Sequence, residues 1–334
     1  MNAASCWLVA LRSSCSLVTI VLENRAKRLI ILIERHFGAV CYLQFEQFQQ
    51  FSAVTHGVFT RHGGYSAAPY ASLNTSGTLK GGDNLDHVIQ NRQLVLKALH
   101  LEDIPTITLW NVHGADVAVF ERGAPWRTDW AYRSYYERTW DAAYVRKGDA
   151  LITRERGVAL SLSFADCTPI LFYDPVQQVI GIAHGGWRGT ARGVVFATLD
   201  AMQVHFGCRP QDVYAGIGPT IGPCCYEVST AVRALFLGQQ EFSEMPTHPH
   251  YRPLVAESAV FSLVALPDRE SLRLDLTTTT RNQLLLAGVL PEHIEQAGLC
   301  TACHKDRFFS YRAENGKTGR FPMTVALRAE QVIY

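Results

Sequence analysis

Four short segments hold the residues able to do chemistry. Val112-His113-Gly114, Ala165-Asp166-Cys167 and Ala183-His184-Gly185-Gly186-Trp187-Arg188-Gly189 offer one thiol and two imidazoles, with a carboxylate and an arginine beside them. One Cys and two His suit Zn2+, and three protein ligands leave a fourth tetrahedral position open for water or substrate. Such an ion lowers the pKa of bound water to about 7, which makes a nucleophile available at neutral pH. Ligands 54 residues before and 17 residues after Cys167 match no dedicated metal motif. Spacing alone does not favour a metal over a buried inert thiol with two hydrogen-bonded histidines. The same residues also suit the thiolate–imidazole pair of a cysteine hydrolase or amidase.

The fourth segment, Thr60-Arg61-His62-Gly63-Gly64 followed by Ser72-Leu73-Asn74, reads as a tight turn open to close ligand approach. Arg61 would bind an anion there and Asn74 a hydroxyl or base edge; an ordinary hairpin with a solvated arginine fits equally well. The glycine-rich turn His184–Gly189 precedes a helical pattern, an arrangement that cradles anions on backbone N–H groups. It matches neither the P-loop nor the dinucleotide fingerprint, so it suits an anion or a close ligand without specifying a nucleotide, and a solvated surface arginine fits Arg188 equally well. Cys300-Thr301-Ala302-Cys303-His304 has the spacing of a haem-attachment motif. Covalent haem requires export to an oxidising compartment, and no convincing signal peptide is visible. The expectation is a cysteine pair near the pocket, with His304 lining it.

The elements that must position these groups alternate between strand and helix patterns without internal repeats. Residues 85–101 carry apolar residues at helical spacing, with Asp83 and Asp86 suited to the cap and first turn. Val158–Phe164, Ile170–Tyr173, Val179–Ala183 and Asp212–Ile217 read as strands, Thr190–Phe206 and Thr277–Gly288 as helices, and Gln239–Arg252 as an irregular excursion. If strands 158–164 and 179–183 are neighbours, their ends present Cys167 and His184 to one cleft. With no biased linker, a single α/β or α+β domain follows.

Composition narrows the function class. The 334 residues are 48% hydrophobic and 18% charged, with formal net charge +1. No basic block recommends a nucleic-acid or membrane-surface role. Nine scattered cysteines are too sparse for a secreted disulfide scaffold and fit reduced thiols in a cytoplasm. The apolar stretch Cys6–Leu22 is interrupted by Arg12, leaving too short a run to span a bilayer. Residues 1–40 are expected to be an extension preceding one domain over 41–334.

The ordered segments TRHGG, YASLN, GDN with NR nine residues on, VHG, GDALIT, ADCTPILFYD, AHGGWRG, GIGPTIGPCCYEV, FFSYR and a final GR run from roughly Thr55 to Leu327. Together they resemble the multicopper oxidoreductase laccase-domain family, also called YfiH-like or DUF152. The resemblance implies a single-domain α+β four-layer α/β/β/α sandwich of the deamidating-toxin/YfiH-like type. It implies Zn2+ or Cu2+ held by His113, Cys167 and His184, and catalysis at these residues. The implied activity is purine nucleoside phosphorylase, with adenosine deaminase and methylthioadenosine phosphorylase beside it. Phosphate and a purine nucleoside are then the partners; Arg61, Asn74 and Arg188 bind substrate, and Asp166 handles protons. Family members have also been described as peptidoglycan editing factors, which keeps the hydrolase reading open. The laccase chemistry of the family name would need several clustered His-x-His pairs, and the chain has only His248-Pro249-His250. Tyr65, Asn111 and Gly185 depart from the family's Val, Gln and Ala; none is a metal ligand, but Tyr65 and Asn111 put fine substrate preference in doubt.

Overall fold

A computed structural model describes residues 8–13, 16–21, 30–77, 82–123 and 145–328. Among the described residues seventeen strands run in chain order: β1 Leu8–Ser13, β2 Ser16–Val21, β3 Ile30–Phe37, β4 Val40–Phe45, β5 Val54–Phe59, β6 Thr106–Trp110, β7 Val117–Phe120, β8 Val145–Lys147, β9 Ala150–Thr153, β10 Ala159–Phe164, β11 Thr168–Asp174, β12 Val179–Gly185, β13 Tyr214–Ile217, β14 Phe261–Ala265, β15 Glu270–Leu274, β16 Ile294–Gln296 and β17 Phe321–Leu327. One sheet has the order β1-β2-β3-β4-β5-β17-β10-β6-β8, and a second has the order β16-β13-β11-β12-β9-β7. The pair β14–β15 forms a separate hairpin.

The burial pattern explains the layering. Strand β17 is buried on both faces, and β10 on one, with Ser161 and Ser163 of its other face half-buried. Leu160, Leu162, Phe164, Phe321 and Met323 point to one side and meet Leu151, Leu171, Tyr173, Ile180 and Ile182 of the second sheet. Their other faces, with Ala159 and Ala326, pack under Val95 and Leu96 of helix α1 (Leu85–Ala98) and its C-cap Leu99. On the far side, Ile152, Ile170, Phe172 and Ala215 of the second sheet pack against α3 (Val194–Phe206) and α6 (Leu276–Leu286) through Val194, Leu199 and Leu284. The order is helix, sheet, sheet, helix: the four-layer sandwich expected from the resemblance. Each large side chain sealed between the sheets contributes about 1.5–3 kcal/mol.

Several boundaries differ from the sequence expectation for local reasons. Helix α1 is capped by Asn84, whose side chain accepts from Asp86 N, while Asp83 instead receives the side-chain amide of Asn74. The helix expected over 190–206 is broken into α2 (Trp187–Ala191) and α3, because Gly193 takes φ +83 between them. Two short helices, α4 (Thr230–Phe236) and α5 (Arg252–Ser258), flank the irregular 239–251 segment. Within the segment expected to be an extension, β1, β2 and β3 continue the first sheet by antiparallel pairing, and β3 pairs with β4. Cys6 and Cys15 lie outside the described residues. Among the described residues, no helix is long and apolar enough to cross a membrane.

The break at Gly193 is testable. An added Cβ would sit 3.0 Å from Tyr251 Cβ and Cδ2, in a left-handed conformation disfavoured for L-residues. Gly193→Ala should therefore lower unfolding stability by about 1–2 kcal/mol, read from urea melts. An unchanged midpoint would remove the constraint from Gly193.

Candidate metal centre and its surroundings

Three crossings from the first sheet to the second build the site. β6 and β8 run parallel to one another, as do β6 and β10, so all three leave the first sheet at the same end. Each chain then enters the second sheet: β6 leads to β7 through His113, β8 to β9 through Asp149, and β10 to β11 through Cys167. His184 comes from the end of β12, which pairs with β11 so that Pro169 faces His184. The neighbouring-strand premise is thus corrected. β10 and β12 lie in facing sheets, and it is the start of β11 that brings Cys167 beside His184.

The donor atoms of His113, Cys167 and His184 all lie within 4.8 Å of one another. His184 is buried, and His113 and Cys167 are half-buried. The imidazole rings of His113 and His184 meet edge-on with centroids 5.0 Å apart.

Asp149, fully buried, organises the cluster and was missed by the sequence reading. Its Oδ2 accepts from the backbone N–H groups of Gly114 (2.6 Å) and Val112 (3.2 Å). Its Oδ1 accepts from His113 N (3.0 Å) and pairs with His184 Nδ1 (3.1 Å). The last bond fixes the tautomer of His184 and leaves Nε2 for a metal, the usual carboxylate–histidine–metal arrangement. Burial alone would raise the Asp149 carboxyl, but His184 and the Gly114 N–H outweigh it and hold it below its ordinary value. The only hint in sequence was the GDALIT segment, and nothing there distinguishes a buried acid from a turn residue.

The donor set fits Zn2+ or Cu2+. One thiol and two imidazoles are chemically suited, and Gly186 keeps the space over them clear. A Cβ at Gly186 would lie 2.9 Å from Cys167 Sγ and 3.0 Å from His113 Cδ2. Burial pushes the Cys167 thiol up, but the charge of His184 and hydrogen bonds from both histidines more than reverse it, favouring thiolate. Burial lowers His184, yet the Cys167 thiolate and Asp149 raise it above the ordinary imidazole range. A thiolate is the form a metal takes.

Two ligand-bearing crossings hold residues in the left-handed region, His113 at φ +59 and Asp166 at φ +82. Such backbone persists where its surroundings over-determine it. For His113 the surroundings are Asp149 and Arg192, whose Nη1 donates to His113 O at 2.8 Å. Arg192 also donates to Glu244 O and Met245 O and stacks over Phe242 at 3.7 Å. For Asp166, the carbonyl accepts from Thr220 Oγ1 and Ile221 N. Its carboxylate accepts from Thr301 Oγ1 and Arg312 N, both at 2.6 Å. Burial raises its carboxyl despite these bonds.

The other expected residues fall into two groups. Arg188 is exposed, with its guanidinium 4.4 Å over Trp187 at the start of α2. Arg61 donates to Ala71 O, Lys305 O and Glu314, and lies 4.5 Å over Phe309. Asn74 is buried and uses all four of its hydrogen-bonding positions, to Ser76 N and O, Asp83 and Arg320 N. Both brace loops. A further cation was missed: Arg320 is near enough to Cys167 and Asp166 that their charges oppose the lowering caused by its burial. Its Nη1 donates to Thr318 O and Gly319 O, and its guanidinium lies 5.4 Å over Tyr311. The sequence had marked its position only as the final GR. His304 joins none of the metal-competent clusters among the described residues.

Asp149→Asn should lower metal affinity about 10–100-fold, as loss of a carboxylate behind a ligating histidine does. Competition against a chromophoric chelator measures this, and unchanged affinity would take Asp149 out of the centre. With thiolate at Cys167 and a proton on His184 near neutrality, metal entry displaces the His184 proton. Affinity should then fall about tenfold per pH unit on acidification from neutrality; a flat profile would contradict the pairing.

Comparison with known proteins agrees with this architecture. Residues 55–328 match the family described as multi-copper polyphenol oxidoreductase laccase. The chain is 36% identical over 285 residues to purine nucleoside phosphorylase YlmD of Geobacillus stearothermophilus, covering 84% of this chain and 92% of that protein. It is 31% identical over 261 residues to human purine nucleoside phosphorylase LACC1, covering 77% of this chain and 51% of the human protein. Among solved structures, YlmD from Geobacillus stearothermophilus superposes with a TM-score of 0.71 at 32% identity, covering 89% of this chain and 99% of that one. Bacillus licheniformis hypothetical protein YfiH gives 0.70 at 32%, covering 88% and 99%. With sequence match and fold in agreement, the chain belongs to the multi-copper polyphenol oxidoreductase laccase family.

Proposed function

We propose that this chain is a purine nucleoside phosphorylase that uses phosphate to cleave inosine, adenosine and methylthioadenosine at its Cys/His metal site, with deamination of adenosine as a second activity. The observation that carries this reading is the convergence of a metal-competent donor set with an arginine, Arg320, beside it. His113, Cys167 and His184 converge within 4.8 Å, and Arg320 feels the charge of Cys167. The names of the relatives support the same reaction.

In phosphorolysis a phosphate oxygen bonds to the anomeric carbon as the bond to the base nitrogen breaks. The base departs with that electron pair and takes up a proton. A Zn2+ or Cu2+ ion bound at the centre supplies Lewis acidity. Arg320 and Arg188 hold the phosphate by charge-assisted hydrogen bonds. Asp149 keeps the Nδ1 proton of His184 in place. We assign Asp166, whose carboxylate oxygens are both engaged, to the positioning of Cys167. Arg61 and Asn74 are assigned to bracing the loops that present Arg320.

A second reading has its own observation. Cys167 favours thiolate beside His184, which is the apparatus of a cysteine hydrolase acting on a cell-wall precursor. A polyphenol oxidase reading would need further copper ligands. His248 and His250 pack on Tyr251 and join none of the metal-competent clusters among the described residues.

Incubation of metal-replete protein with inosine or adenosine and phosphate should yield free base and ribose 1-phosphate; no base release sinks the phosphorylase. Arg320→Ala should raise the KM for phosphate about 10–100-fold, the value of a lost charge-assisted bond. A Cys167→Ala protein that keeps its metal but loses all turnover would favour the hydrolase.

A further inference from the structure

The Cys300-x-x-Cys303 motif finds partners that sequence spacing could not reveal. The Sγ atoms of Cys224, Cys225, Cys300 and Cys303 all lie within 4.8 Å of one another. The two pairs come from segments 75 residues apart in the chain: a tight turn after β13 and the turns that follow β16. We propose that these four cysteines form a second, structural metal site holding one Zn2+ ion as a tetrathiolate, separate from the His113–Cys167–His184 centre.

The geometry favours a polyhedron over bonded pairs. Cys303 Sγ lies 3.4 Å from Cys224 Sγ and 3.5 Å from Cys225 Sγ, so one sulfur faces two partners almost equally. A disulfide joins two sulfurs at about 2.0 Å and would leave the third unpartnered. A tetrahedron with Zn–S bonds of about 2.3 Å has sulfurs about 3.8 Å apart, a few tenths of an ångström from the separations found. The backbone is arranged for thiolates: Gly222 N donates to Cys300 Sγ at 3.2 Å. Cys225 N and Tyr226 N both turn back to Gly222 O, folding the first pair into a knuckle. A Cβ at Gly222 would come within 3.3 Å of Cys224 Sγ, so glycine there keeps the thiols unobstructed. Cys224 and Cys303 are exposed, which gives an ion a route in from solvent. Four protein sulfurs complete the coordination, as in sites that stabilise rather than catalyse.

The site lies where a clamp has structural effect. The two segments it joins are those that hold Asp166: Thr220 and Ile221 on one side, Thr301 and Arg312 on the other. Thr220 and Thr301 are also paired directly, through Thr220 N to Leu299 O and Thr301 N to Thr220 O. A zinc ion there would fix the strained Asp166 backbone from outside, and with it the approach of Cys167.

The proposal does not depend on phosphorolysis, and elemental analysis of the full chain tests it. The wild-type protein, purified under reducing conditions with zinc, should carry two zinc ions per chain. Cys224→Ser/Cys303→Ser should carry one fewer than the wild type and melt at lower temperature. His184→Ala, which leaves the four cysteines intact, should keep one ion, and Co2+ substituted there should give the absorption of a tetrathiolate centre. This variant keeps the test decisive if the double variant fails to fold. Failure of the histidine-containing centre would look different: wild type and His184→Ala would then carry the same single ion. Equal zinc content in the wild type and a folded double variant, or a His184→Ala protein devoid of zinc, would overturn the proposal.

Discussion

One buried carboxylate holds the centre together. Asp149 has no contact with solvent, and its two oxygens receive three consecutive backbone N–H groups and one imidazole nitrogen. A buried charge is costly unless it is fully hydrogen-bonded, and here satisfying it requires His113 and His184 to occupy fixed positions. The carboxylate thereby turns an electrostatic penalty into geometric precision. The left-handed backbone of His113 and the tautomer of His184 both follow from it.

The surrounding sandwich supplies the reach. Loops alone would leave three donors free to drift, whereas here Cys167 and His184 sit at strand ends and His113 in a short crossing, between a sheet that faces α1 and a sheet that faces α3 and α6. The apolar layer between the sheets, from Leu160 and Phe321 to Leu171 and Ile182, sets the separation across which the crossings run. The centre is therefore a property of sheet docking as much as of its ligands. Arg192 reinforces this from the side, tying His113 O to the 244–245 backbone.

Much of this was legible in the sequence. Strand patterns at 158–164, 170–173 and 179–183 located the elements nearly to the residue, because short β-branched runs between turns have few other uses. The three residues picked out as candidate ligands, His113, Cys167 and His184, are ones whose donor atoms the fold brings together. What the chain could not show was pairing across distance. Nothing near Asp149 marks it as a hub, since its partners lie 35 to 37 residues away. Asn74 and Arg61 looked like ligand-readers because exposed polar residues beside glycines commonly are. The burial and full hydrogen bonding of Asn74, and the three acceptors that engage the half-buried Arg61, are contacts that only the fold confers. Gly193 was absorbed into a longer helix because its left-handed φ leaves no trace in composition.

The spacing of the donors also bears on how the molecule comes to be folded. His113, Asp149, Cys167 and His184 are separated by long stretches, and no single hairpin contains two of the metal ligands together with the acid that orients them. Before the sheets dock, the loop-closure entropy of bringing these residues together has nothing to offset it. The donor set is therefore a product of the docked sheets: a metal that needs His113, Cys167 and His184 together would find them only where both sheets are in place.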